Sequence, residues 1–323
     1  MRTDVMGYYG LAKDVRHAGF FETEQHKKLF SHVKDAIKHG GLIAVSGMIG
    51  TGKTVSLNKL KESLSKDGKI IVSQSRCVEK QKVQISTLIA AIFYDLKNEK
   101  FFIPHGELRE RKLRELIKIE RKPVVLFVDE AHDLPRATLK GLKHLIETVN
   151  DRIGPASLSV LLAGHPKLQN DLKRSNMEEI GYRTTTYSLD GAIDSRRQFI
   201  EWLIEHCVRE DVKVNDVFEP EAIDLLAEKL VTPLQVVEHL TRSLEAGHAA
   251  NEKPVTATIV STVLSGVIED LEATITRLGY DHKSLATLLN VSQAEARQFI
   301  AGRLDGTRAA DLHEQLLVVG LPV

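Results

Sequence analysis

Residues 42–54 constrain the fold more than any other segment of this chain. The apolar run at 42–46 leads into Gly47-Met48-Ile49-Gly50-Thr51-Gly52-Lys53-Thr54, which satisfies G-x-x-x-x-G-K-[ST] in full, and an amphipathic stretch at 53–65 follows. Strand, glycine-rich loop and helix in that order form the start of a βα unit. The glycines let backbone N–H groups turn inward around phosphate oxygens, and the helix N-terminus adds partial positive charge. Lys53 is then placed to reach the β- and γ-phosphates of a nucleotide, and the Thr54 hydroxyl to ligate Mg²⁺.

The flanking sequence repeats the unit. Short apolar runs at 42–46, 69–73, 124–128, 158–163 and 184–189 read as strands. Helical patterns such as 53–65 and 108–119 lie between most of them. Alternation of this kind predicts an α/β fold with a parallel sheet covered on both faces, over residues 1–190. Residues 191–268 lose the strand runs. Segments 196–209, 219–230 and 233–246 carry apolar residues at three- and four-residue intervals, which predicts a small helical domain. Residues 269–323 predict a third, compact unit. There Gly279 ends one helix, Asp281 caps the next, and Ser292 with Glu295 fits a capping box before a third helix closed by Gly302.

The strand at 124–128 ends in Asp129-Glu130. Carboxylates ejected at the carboxyl end of a buried parallel strand lie where such sheets bind ligands. Asp129 is expected to hold Mg²⁺, and Glu130 to polarise an attacking water as general base. Phosphate loop and base together predict ATP hydrolysis rather than binding alone. The strand at 158–163 ends in Gly164-His165-Pro166. His165 is either a hydrogen-bond partner for the γ-phosphate or its attacking water, or a loop histidine without a role. Arg183 precedes the last strand and is a candidate to reach a neighbouring subunit's γ-phosphate, with Arg174 as its competitor.

Charge and cysteine usage limit the alternatives. Lys+Arg and Asp+Glu both total 44. A polybasic coat binding nucleic acid through bulk charge is excluded, so such binding needs a local patch. No apolar run reaches the length of a membrane span, and the first residues lack the apolar stretch of a signal peptide. Cys77 and Cys207 make neither a disulfide framework nor a metal knuckle, so a reduced, cytoplasmic protein is expected.

The order strand, Walker A, strand, Asp129-Glu130, strand, Arg183, followed by helices, resembles an AAA+ ATPase. More narrowly, residues 8–245 resemble the ExeA/GspA-like group, which includes transposition helper ATPases such as TniB, TnsC and the phage Mu B protein. The features that carry this are Tyr8-Tyr9-Gly10-Leu11, Phe20-Phe21 and His26, then SGMIGTGKT (46–54), LFVDEAHDL (126–134), LLAGHPKL (161–168) and Arg183. The resemblance implies a five-stranded sheet in the order 5-1-4-3-2, a helical lid and ATP-dependent oligomerisation. It also implies that Thr51 supports the phosphate loop and that His165 is the sensor 1 residue. Related proteins carry a sensor 2 arginine near the start of a lid helix. Here that stretch reads Val231-Thr232-Pro233-Leu234-Gln235, and Gln235 can hydrogen-bond but carries no charge.

What the final unit does separates the functional readings. Its pattern fits a helix-turn-helix, with 283–289 as first helix, 290–292 as turn and 293–301 as recognition helix. Gln293, Arg297 and Gln298 would face DNA, while Val291, Ala296 and Ile300 face the core. A three-helix module for protein contact is the other reading, and five Lys/Arg against six Asp/Glu in 271–323 favours no strong phosphate attraction. Within the ATPase, Lys80, Lys82, Lys140 and Lys143 are candidates to face DNA phosphates inside a helical filament. The basic stretch 107–122 reads as a solvated helix face. The expectation is an ATP-dependent, DNA-binding AAA+ ATPase that oligomerises on double-stranded DNA and acts as target selector and activator for a transposase. The alternatives are an ExeA-like secretion or envelope ATPase and an ATP-liganded transcriptional regulator.

Overall fold

A computed structural model of the chain describes residues 1–75, 82–97, 104–154, 156–265, 271–319 and 321. Helices α1 (Thr3–Tyr9) and α2 (Glu24–His39) precede strand β1 (Gly41–Ser46). There follow α3 (Lys53–Asp67), β2 (Ile71–Ser75), α4 (Ile85–Lys97), α5 (Glu107–Glu120) and β3 (Val124–Val128). Then come α6 (Arg136–Ile153), β4 (Leu158–Gly164), α7 (Pro166–Leu172), α8 (Glu178–Gly181) and β5 (Thr184–Ser188). The remainder is helical: α9 (Arg196–Glu205), α10 (Pro220–Lys229), α11 (Pro233–Ala249), α12 (Ala257–Ser265), α13 (Leu271–Arg277), α14 (His282–Leu289), α15 (Gln293–Ile300) and α16 (Gly306–Val318).

The five strands form one parallel sheet in the order β2-β3-β4-β1-β5, the 5-1-4-3-2 order expected. Side chains alternate between its faces, as the two-residue period of a strand requires. Leu42 and Ala44 join Leu126, Val160 and Leu162 under α4, α5 and α6. Ile43 and Val45 join Phe127, Leu161 and Ala163 under α2 and α3. The three central strands are buried on both faces, which is why they read as unbroken apolar runs. The edge strand β5 is Thr184-Thr185-Thr186-Tyr187-Ser188, half exposed, and its polar sequence fits that position.

The other two packing clusters cross the expected zones. Val5, Tyr9, Leu11, Val15 and Ala18, at the start of the chain, pack with α9 to α12 and not with the sheet. Tyr9 is fully buried, and its hydroxyl donates to the Glu252 carbonyl at 2.8 Å. The last cluster joins α13 to α16 around Leu285, Phe299, Leu312 and Leu316, and Met48 of the phosphate loop packs against it. Asp281 caps α14 by accepting from the Ser284 N–H at 2.7 Å. The capping box read at Ser292 is half formed. Its hydroxyl accepts from the Glu295 N–H, but the Glu295 carboxylate turns to Arg308 at 2.8 Å. Among the described residues, no helix is long and apolar enough to cross a membrane.

Candidate nucleotide site

The phosphate loop leaves β1 at the carboxyl edge of the sheet and is held at several points. The Gly47 N–H donates to the Gly164 carbonyl of β4 at 3.2 Å, and the Met48 N–H to Asp190 Oδ1 at 2.8 Å. Thr51 Oγ1 donates to the Met48 carbonyl at 2.9 Å, a brace within the loop. Gly50 sits at φ 88°, and a Cβ there would lie 2.8 Å from Leu234 Cβ and 2.9 Å from Thr232 Oγ1. Only glycine lets the loop approach the lid helix α11 this closely, and the Leu234 N–H donates to the Gly50 carbonyl.

Lys53 is buried at the first position of α3. Its Nζ donates to the carbonyls of Gly47 and Met48 at 2.7 and 2.8 Å. An ammonium has three donors, so one remains for a ligand. Burial holds its pKa below the usual lysine value, although Glu130, Asp190 and Asp129 pull it up. Thr54 Oγ1 lies 3.3 Å from Asp129 Oδ2, so the two oxygens expected to share a divalent cation are already neighbours. Asp129 is oriented by the Glu130 N–H, which donates to its Oδ1 at 2.9 Å.

Glu130 stands just past β3 with φ 55° and ψ 37°, the left-handed region that non-glycine residues avoid. Its Oε2 lies 3.6 Å from His132 Nε2 and 3.9 Å from His165 Nε2. The two imidazoles stack, with centroids 3.8 Å apart. Burial pushes the pKa of both rings down, to about 3 for His165, where His132 and two lysines add to the effect, so both are neutral near pH 7. The ligand-bearing atoms of Glu130, His132 and His165 lie within 4.8 Å of one another. Both Nδ1 atoms are buried and, among the described residues, lack a hydrogen-bond partner. The rings therefore lack the outer hydrogen bond that orients a metal-bound histidine. The trio reads as a carboxylate flanked by two neutral imidazoles. The sequence marks His132 only by its spacing two residues after Glu130.

A cavity of about 480 Å³ joins these groups to an apolar wall. Its floor is Gly50 to Ser56, with Glu130 and His165 at one end. Val15, Phe20, Phe21, His26, Phe199 and Leu203 also line the cavity. His26 is fixed by Thr23, whose hydroxyl lies 2.8 Å from its Nδ1, and it packs edge-on to Phe20. A phosphate loop together with aromatic and aliphatic lining suits a nucleotide, the loop for its phosphates and the apolar lining for its base.

The remaining sequence candidates lie elsewhere. Arg183 is level with Gly41 at the opposite edge of the sheet, six residues or about 20 Å down the strand from its own phosphate loop. It is mostly exposed and paired with Glu147. Arg174 pairs with Asp171 at 3.2 Å. Gln235 does not point its amide oxygen at the cavity. That oxygen accepts from the N–H groups of Val231 and Thr232, both at 3.0 Å, as the return half of a capping box on α11.

Of the four lysines considered for DNA, Lys80 lies outside the described residues. Lys143 is largely shielded and ion-paired with Glu179 and Glu147, so its charge is already met within the chain. Lys82 and Lys140 are exposed and belong to one region, because the Thr138 hydroxyl donates to the Val83 carbonyl at 2.6 Å. In the last unit Gln293, Arg297 and Gln298 are exposed, and Ala296 and Ile300 are buried. On α5, Leu113, Leu116 and Ile117 are buried and Arg111 pairs with Glu115, so its basic residues form a solvated face.

Comparison with known proteins supports the same assignment. Residues 35–172 match the AAA_22 family, described as an AAA domain. No curated protein matches the sequence. The chain is similar to the Aeropyrum pernix ORC2 protein in its ADP form, with TM-score 0.56 and 15% identity, covering 97% of this chain and 91% of that one. It is similar to Drosophila ORC bound to DNA, with TM-score 0.52 and 16% identity, covering 98% and 83%. It is also similar to the Thermotoga maritima RuvB Holliday junction branch migration motor, with TM-score 0.50 and 19% identity, covering 95% and 91%. At such identities the likeness is one of fold. With an AAA domain matched at 35–172, the five-stranded sheet in AAA+ order and helices beyond it, the chain has the AAA+ P-loop fold, and the matched AAA domain supports ATP hydrolysis.

Proposed function

We propose that this protein is a cytoplasmic, DNA-associated ATPase that assembles on duplex DNA in its ATP state and serves as target selector and activator for a transposase. The observation that carries the oligomeric part is the position of Arg183. It is too far from its own phosphate loop to act there, yet it is mostly exposed just before β5, where a neighbour could take it from its partner Glu147. In this reading Gly47, Gly50, Gly52 and the third N–H of Lys53 hold the triphosphate. Thr54 and Asp129 would hold Mg²⁺, which would supply positive charge against the phosphates. Glu130 accepts a proton from the attacking water, His165 contacts the γ-phosphate, and Arg183 of the next subunit stabilises the transferring phosphoryl group.

The DNA part is supported by the DNA-bound state of the Drosophila ORC structure and by the branch-migration role of RuvB, both on this fold. Within this chain it is supported by exposed Lys82 and Lys140 in one region and by exposed Gln293 and Arg297 on α15. The transposase partner rests on the resemblance of residues 8–245 to transposition helper ATPases. Fluorescence anisotropy of labelled duplex DNA, with ATP and with ADP at two salt concentrations, tests the proposal. Binding that needs ATP, tolerates sequence and weakens with salt is expected. No binding with ATP at low salt would overturn it.

A further inference from the structure

The phosphate-loop tip and His165 share a neighbour that the hydrolytic chemistry does not use, the turn between α13 and α14. The Ile49 N–H donates to the Arg277 carbonyl at 2.8 Å. Met48 packs against the core of the last helical unit. Tyr280 is 2% exposed, and its hydroxyl accepts from Asn170 Nδ2 at 3.0 Å, on the helix that begins directly after His165. Gly279, at φ 88°, comes so close to His165 that a Cβ there would lie 2.6 Å from both Cβ and Nδ1 of the imidazole. His165 is thus bounded by the Gly279 backbone and by the His132 ring, with Nδ1 buried and unpartnered.

Two elements that would detect a γ-phosphate are therefore held by one turn of a separate helical unit. Any turn of the His165 ring toward a γ-phosphate is limited on this side by the Gly279 backbone. ADP brings no group to this place. A ligand shifts a conformational equilibrium only through its different affinity for the two states, and the coupling is reciprocal. We propose that the turn at 277–280 is a clamp on the γ-phosphate side of the site. Docked, it restrains His165 and the loop tip and slows turnover; ATP loosens it and ADP does not. The inference rests on the reading of the phosphate loop and His165 as the γ-phosphate site.

The test uses the full chain and two loosening variants, Asn170→Ala and Tyr280→Phe, neither of which touches the nucleotide. Each removes one hydrogen bond, which shifts docking by about two- to tenfold. Turnover should rise by a comparable factor, with ADP affinity unchanged. A tightening variant reads the opposite direction. Asn170→Cys with Tyr280→Cys, in a Cys77→Ser background and joined by a short bis-maleimide, should lose turnover while still binding ADP. Amide-hydrogen exchange at 278–285 should be faster with a slowly hydrolysed ATP analogue than with ADP. Unchanged or lower turnover in the loosening variants, or full turnover in the cross-linked chain, would refute the clamp while ADP binding upheld the site. A chain that bound no ADP at all would overturn the nucleotide-site reading and the clamp with it.

Discussion

Glu130 is held in a backbone conformation that costs stability, and the cost can be measured. At φ 55° and ψ 37° its Cβ crowds the following carbonyl, which disfavours a non-glycine residue by about 1–2 kcal/mol. Glycine escapes that strain but has more freedom to lose on folding, which returns about 0.4–1 kcal/mol. Glu130→Gly should therefore be more stable than Glu130→Ala by about 1 kcal/mol, because alanine keeps the strain. For a domain of this size that is about 2–4 °C in melting temperature. Both variants lose the carboxylate, so turnover should fall by about 10²- to 10⁴-fold in each. Thermal melts followed by circular dichroism, alongside a phosphate-release assay, give the comparison. If Glu130→Ala melts at or above Glu130→Gly, the strain argument is wrong, whatever happens to turnover.

Two further predictions concern stability. His165 is pushed down to about 3 in the folded chain, chiefly by burial, against about 6.5 when unfolded. Between those values only the unfolded chain takes the proton, so stability is intact above pH 6.5 and falls as pH drops toward 3. By about pH 5 the loss from this residue alone is about 2 kcal/mol. His165→Asn should lose that much less between neutral pH and pH 5 in urea unfolding, and equal losses would count against the buried neutral imidazole. Tyr9→Ala should cost about 3–5 kcal/mol by emptying the space between α1 and α11, whereas Tyr9→Phe should cost about 1 kcal/mol for its hydrogen bond. Differential denaturation of the two variants checks this, and similar small losses would mean the first helix does not pack with the lid.

The sheet was legible because its evidence is local. Buried strands such as 124–128 announce themselves as apolar runs, and the phosphate loop fixes which turn follows β1. Strand ends drifted by a residue or two, as at β2, where Lys69 and Ile70 precede the pairing that begins at Ile71 opposite Val124. Other features depend on partners far away in the chain. Nothing local to Tyr9 shows that Glu252, 243 positions later, accepts its hydroxyl. Gln235 has the composition of a ligand-contacting residue, but its position at N3 of α11 commits it to a cap. His132 lies two residues past Glu130, yet its stacking on His165 requires β3 and β4 to be neighbours. The contact of 277–280 with the loop tip has no local pattern at all, since it is set by how one helical unit docks on another.

A site completed by Arg183 of a neighbouring subunit is tested most directly by subunit mixing. Glu130→Gln and Arg183→Ala should each be nearly inactive alone, since one lacks the base and the other the arginine offered to its neighbour. Mixed in equal amounts under assembling conditions, about a quarter of interfaces would join an intact Glu130 to an intact Arg183, in a head-to-tail assembly. Turnover should then recover to about that fraction of the wild-type rate. A mixture no more active than its components, or an Arg183→Ala chain with full turnover, would contradict the shared site.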